Sequence, residues 1–178
     1  SSEQKASAHA LTVMLENHSA IAGFFWRYGR NMKAFTDAVC ETYPQKTLKF
    51  WKMIQPMITR FKTQMHGLGK HQDEEIADFS NQDLQALSDS LGNKDFLLGN
   101  ELSVLDCTAF GHLAQFLYIP VPFPQKAYMN ANCQNLVKYV DRVRDKLWPD
   151  WEKACDKACM EGFMGHDYLE AVKKENAQ

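Results

Sequence analysis

Phe96-Leu-Leu-Gly-Asn-Glu-Leu-Ser103-Val-Leu-Asp106-Cys-Thr-Ala-Phe110-Gly-His-Leu-Ala-Gln-Phe-Leu-Tyr118 is the stretch that decides the fold. Gly99-Asn100 is a turn signal. Ser103 stands where an N-cap belongs, and Asp106 follows in the capping-box spacing, with Asp in place of Glu. The Ser103 hydroxyl is placed to accept the N3 backbone N–H, and the Asp106 carboxylate to reach back to the Ser103 N–H. That satisfies orphan donors and sets an anion against the positive end of the helix dipole. Beyond the cap, Val104, Leu105, Ala109, Phe110, Leu113, Ala114, Phe116 and Leu117 leave no wide polar face. A helix of that kind is buried. The stretch therefore predicts the central helix, about residues 103–118, of an all-α domain.

The rest of the chain agrees. Leu11, Met14, Leu15, His18, Ala22, Phe25 and Gly29 follow the helical repeat, predicting one long amphipathic helix over residues 4–29. A second helical stretch at 31–42 carries Met32, Phe35, Val39 and Cys40 and stops at Pro44. Leu48, Trp51, Ile54 (or Met53), Ile58, Phe61 and Met65 form a further stripe, with Pro56 a kink or boundary. After the His66-Gly67-Leu68-Gly69 loop, Asp73-Glu74-Glu75 opens a helix through Ile76, Phe79, Leu84 and Leu87 to Gly92-Asn93. Pro120, Pro122 and Pro124 predict an extended loop. A helix over 132–147 follows, with Leu136, Val137, Val140, Val143 and Leu147 inward. Trp148-Pro149-Asp150-Trp151 breaks it before a short last helix. No strand pattern or repeat is visible. The expected organisation is one helical domain over 1–160 and a polar tail over 161–178, partly helical or disordered.

Bulk properties narrow the function classes. The chain has 178 residues, 20 basic against 22 acidic, for a net charge of −2. That balance demands no nucleic acid. No apolar run reaches the ~20 residues of a membrane span. Five cysteines at irregular spacing read as reduced thiols of a cytoplasmic protein. Cys155 and Cys159, one turn apart, with His166 downstream, have metal-ligand character but lack a fourth ligand at a recognisable spacing, so they read as small apolar filler. His66 and His71 flank a glycine-rich loop without an evident carboxylate orienter and read as solvated; His18 and His112 read as satisfied core or interface histidines. No phosphate loop, zinc motif or nucleophile elbow is present. Phe24-Phe25-Trp26-Arg27-Tyr28 is too dense to bury on one side of a helix, because neighbours point about 100° apart. It makes either a two-sided core helix or an apolar ligand or docking face.

Leu98-Gly99, Ser103-Val-Leu-Asp106 and Phe110-Gly-His-Leu-Ala114 together resemble the C-terminal helical domain of the glutathione-transferase superfamily. Met65-His-Gly-Leu-Gly69, Asp106-Cys-Thr-Ala-Phe-Gly-His-Leu-Ala-Gln115 and Leu147-Trp-Pro-Asp-Trp151 resemble its failed-axon-connections / metaxin-like branch. The resemblance runs from about residue 10 to 152 and implies a single helical bundle without the thioredoxin-like half. The family's catalytic Ser, Tyr or Cys resides in that half, so no catalytic residue carries over, and glutathione is expected only if such a partner domain is present. What carries over is the capping pair Ser103 and Asp106, with a folding role, and the apolar co-substrate wall on the first helix: His18, Phe25, Trp26 and Tyr28. The expected function is a non-catalytic interaction or apolar-ligand-binding module. Two alternatives stand beside it: the helical half of a glutathione transferase, and a carrier of an apolar molecule such as a pigment or lipid. Expected partners are a thioredoxin-like domain or another protein at the first-helix face, an apolar small molecule, and further copies of the chain.

Overall fold

Ser103 and Asp106 start the central helix as expected, and the bundle is arranged around it. The computed structural model describes residues 1–39 and 45–151. Among these, one helix, α1, runs continuously over 2–30, with wide π turns at Leu15–Ser19 and Phe25–Arg30. It is followed by α2 (Met32–Val39), α3 (Gln45–His66), a short 3₁₀ turn (Leu68–Lys70), α4 (Asp73–Leu91), α5 (Val104–Leu117), α6 (Pro124–Asn132) and α7 (Gln134–Leu147). The described residues form no strand, and Phe96 and Gly99 make only an isolated bridge. The all-α expectation holds.

The main core is built on α5. Leu105, Ala109, Phe110, Leu113 and Phe116 bury themselves among Leu84, Leu87 and Leu91 of α4 and Leu136, Tyr139, Val140 and Val143 of α7. Gly23 lets α1 cross closely: a Cβ there would lie 2.9 Å from the Phe116 ring. A second, smaller core joins Ala22 and Phe25 of α1 to Leu68 and Ile76. Arg30 clamps these two regions, donating through Nε and a terminal nitrogen to Asp73 at 2.6 and 2.7 Å. That hydrogen-bonded pairing holds the Asp73 carboxyl below its usual range and raises the Arg30 guanidinium.

The capping box is the hub of the fold. Asp106 is fully buried. One carboxylate oxygen accepts the Ser103 N–H at 2.8 Å and the Ser103 hydroxyl at 2.6 Å. The other accepts the Leu97 N–H at 2.9 Å and the Tyr139 hydroxyl at 2.8 Å. The local cap thus also ties the 96–99 turn and α7 to α5.

Four local expectations are corrected. Of the two expectations for Pro56, the boundary is ruled out, since α3 continues for ten residues beyond it. The proline segment is not wholly extended: Pro124 opens α6, where a first-turn proline lacks only an N–H that would have no helical partner. Val104 is 84 % exposed, so α5 is not buried all round. The stripe on α3 faces the wrong way for a core. Leu48 is buried and Ile54 half-buried, but Trp51, Met53, Ile58, Phe61 and Met65 are exposed, while Thr59 and Thr63 turn inward. Gly29 and Gly69 explain this choice. They bring α1 and the 3₁₀ turn so close that only the small threonines fit: a Cβ on Gly69 would sit 2.7 Å from Thr63 Oγ1 and 2.8 Å from the Gln64 nitrogen.

Candidate functional site

The aromatic run on α1 resolves into two sides, as its density requires. Phe25 points into the smaller core, and Trp26 packs against both clusters. Phe24 and Tyr28 point the other way and meet edge-to-face at 4.9 Å. Tyr28 meets Phe35 of α2 similarly, at 5.2 Å. Together with Met32, Leu48 and Trp51, these rings wall a groove of about 320 Å³ between α1, α2 and α3. Tyr28, Thr36 and Gln55 bring its polar groups. The volume is within the range of small-molecule sites, about 300–1,000 Å³.

Arg27 braces the groove from behind. Its guanidinium stands 5.7 Å from the Tyr28 ring centre, 5.4 Å from that of Phe35 and 5.8 Å from that of Phe123, and it donates to Gln115. A cation held against three π faces, with a side-chain amide oxygen as its hydrogen-bond acceptor, fixes the ring orientations. His112 lies beside this cluster, in a second cavity with Gly23, Phe24, Arg27 and Tyr28. Burial pulls its imidazole below the ordinary value of 6.5, with Glu16 acting weakly in the opposite direction.

The four residues expected to form the apolar wall are dispersed. Tyr28 lines the groove. Phe25 instead lines a more polar cleft of about 500 Å³, shared with Arg30, Thr59, Arg60 and His71. His18 is on a third side, its Nδ1 2.8 Å from Asp83, whose carboxylate also accepts the Ser19 hydroxyl at 2.7 Å. Trp26 is spent on packing. Sequence reasoning missed Phe24, Met32, Phe35, Leu48 and Trp51 as one lining. Their helical repeats were legible, but their meeting depends on how α2 and α3 fold back on α1.

The remaining candidates supply no catalytic set. His71 lies 3.6 Å from Glu75, a carboxylate neighbour not anticipated, in an exposed pair. Among the described residues no group of three or more His, Cys, Asp and Glu could hold a metal. Cys107 is exposed and Cys133 buried, and both are free. Cys155, Cys159 and His166 lie outside the described residues. No described helix is long and apolar enough to cross a membrane.

Residues 80–143, from the middle of α4 to near the end of α7, match the glutathione S-transferase C-terminal domain family. The chain has the helical fold of that domain. It is 34% identical over 173 residues to Failed axon connections of Drosophila melanogaster, covering 87% of this chain and 40% of that protein. It is 28% identical over 148 residues to a Metaxin-1 homolog of Caenorhabditis briggsae, covering 82% and 46%. It is 25% identical over 150 residues to an isoprene-epoxide–glutathione S-transferase of a Rhodococcus strain, covering 81% and 62%. The chain thus spans less than two thirds of each of these curated relatives. No solved structure gives a significant match. The resemblance read from the 96–118 stretch stands, and the matched region contains both Ser103 and Asp106.

Proposed function

We propose that this chain is a non-catalytic helical binding module of the glutathione-transferase superfamily, with its binding site in the groove between α1, α2 and α3. The observation that carries the reading is the groove's lining: five apolar side chains, Phe24, Met32, Phe35, Leu48 and Trp51, with neutral polar groups on Tyr28, Thr36 and Gln55. Such a lining suits an uncharged aromatic or branched apolar molecule. Its hydroxyls, on Tyr28 and Thr36, have no imidazole, carboxylate, amine or thiol beside them in the lining to activate them.

The relatives support a binding role of this general kind. Failed axon connections and the metaxin homolog, unlike the third relative, are not named as transferases, which favours the non-catalytic reading, with a thioredoxin-like domain or another protein adjoining the helices. The similarity to a transferase whose name specifies an epoxide of isoprene supports a second reading. There the groove would be the hydrophobic co-substrate wall of a transferase whose glutathione half lies in another domain. In either reading the free thiols Cys107 and Cys133 suit a reducing, cytoplasmic setting.

Titration of the purified chain with a naphthalene-type probe, followed by the probe's own fluorescence, tests the proposal. Saturable binding should weaken at least about tenfold in Phe35→Ala and Trp51→Ala, as expected for removing an aromatic wall. Glutathione added with an activated aryl halide should not be turned over. Turnover by the isolated chain, or probe binding unaffected by both substitutions, contradicts the proposal.

A further inference from the structure

The outward face of α3 is a second surface, separate from the groove, and it carries a distinct chemistry. At 3.6 residues per turn, Phe50, Met53, Met57, Phe61 and Met65 fall on one line along the helix. They are 55, 63, 69, 65 and 74 % exposed respectively. This line lies opposite the buried Leu48, Thr59 and Thr63. The helix therefore presents its more apolar side to solvent and its threonines to the protein.

Charge defines the occupant. Within α3 there are Lys46, Lys49, Lys52, Arg60 and Lys62, and no Asp or Glu. Lys49 and Arg60 flank the apolar line on one shoulder, and Lys62 flanks it on the other. Lys52 is turned away from the line and pairs with Asp37 at 3.0 Å. Arg30 and Lys33 on neighbouring elements are matched by Asp73 and Asp37 and add no net charge, and Lys70 is opposed by Glu74 and Glu75 at the start of α4, so the basic excess on this side is that of α3 itself. A second copy of the chain would bring these basic shoulders against each other. A single exposed helix face, apolar along its length and cationic on both flanks, complements a planar, deformable, negatively charged surface.

We propose that α3 docks this chain on an anionic lipid surface, lying in the interfacial plane with Phe50, Met57 and Phe61 entering the acyl boundary and Lys49, Arg60 and Lys62 contacting headgroup charge. This is peripheral docking by a helix that stays folded on the bundle. It accords with the finding that no described helix can cross a bilayer.

Co-sedimentation of the full chain with vesicles tests this. Phosphatidylcholine vesicles with about one-third phosphatidylserine should bind the chain at least about tenfold more tightly than pure phosphatidylcholine, and high salt should weaken the binding. The pair Met57→Asp and Phe61→Asp should abolish binding, and the trio Lys49→Glu, Arg60→Glu and Lys62→Glu should weaken it at least about tenfold. All five sites are exposed, so circular dichroism should show both variants folded as the parent. Val104→Asp, at an exposed apolar residue on α5, should bind like the parent. No binding to the anionic vesicles, equal binding by the α3 variants, or binding to polyglutamate without binding to vesicles overturns the proposal.

Discussion

The Tyr139 hydroxyl donates to the Asp106 carboxylate at 2.8 Å, with both residues fully buried. Burial, reinforced by the neighbouring carboxylate charge, pushes the Tyr139 phenol far above its ordinary range, so it remains a donor. A buried carboxylate needs every donor it can recruit. Tyr139→Phe should therefore cost about 1.5–3 kcal/mol, the range for a hydrogen bond to a charged group. Asp106→Ala should cost more, because it leaves the Leu97 N–H, the Ser103 N–H and the Tyr139 hydroxyl unpaired together. Urea unfolding measures both; a Tyr139→Phe midpoint equal to the parent's would contradict the hub.

Gly69 should not tolerate a side chain. A Cβ at this position meets the Gln64 nitrogen and the Thr63 carbonyl carbon at 2.8 Å, and backbone atoms cannot swing aside. Gly69→Ala should destabilise by about 1–3 kcal/mol, the usual cost of overpacking. Differential scanning calorimetry should show a clear fall in Tm.

Thr59 is fully buried, and its hydroxyl has no partner among the described residues. Thr59→Val keeps the shape and removes an unsatisfied polar group. It should be neutral or stabilising, by up to about 1 kcal/mol. Loss of stability would mean that the hydroxyl does have a partner.

His112 gives the stability a pH dependence. Burial lowers its pKa in the folded chain below the ordinary 6.5. On acidification the unfolded chain takes up a proton first, so stability is complete above pH 6.5 and falls as the pH drops from 6.5 toward the folded value. His112→Gln should flatten that part of the profile. Urea midpoints measured between neutral and mildly acid pH show whether the slope shrinks.

The parts of the fold that were legible in the sequence rest on local signals. Ser103 and Asp106 declare a helix start by spacing alone, and Gly92 ends α4 with a positive φ of 53°. What escaped depends on long-range geometry. Tyr139 and Leu97 reach Asp106 only once α7 and the 96–99 turn are in place. The stripe on α3 was visible, but periodicity cannot say which side of a helix meets its neighbour. Gly29 and Gly69 made that choice in favour of Thr59 and Thr63. The groove follows the same rule: Tyr28 was expected there, whereas Phe35 and Trp51 arrive on other helices.

The groove itself is best tested with methyl-labelled methionine in the full chain, titrated with the naphthalene-type probe. Met32 lines the groove, Met129 is buried in the main core, and Met53, Met57 and Met65 lie on the outward face of α3. A saturable shift of the Met32 methyl, with Met129 and the α3 methionines unmoved, is the predicted result. An unmoved Met32, or shifts confined to Met53, Met57 and Met65, would contradict the placement of the binding site.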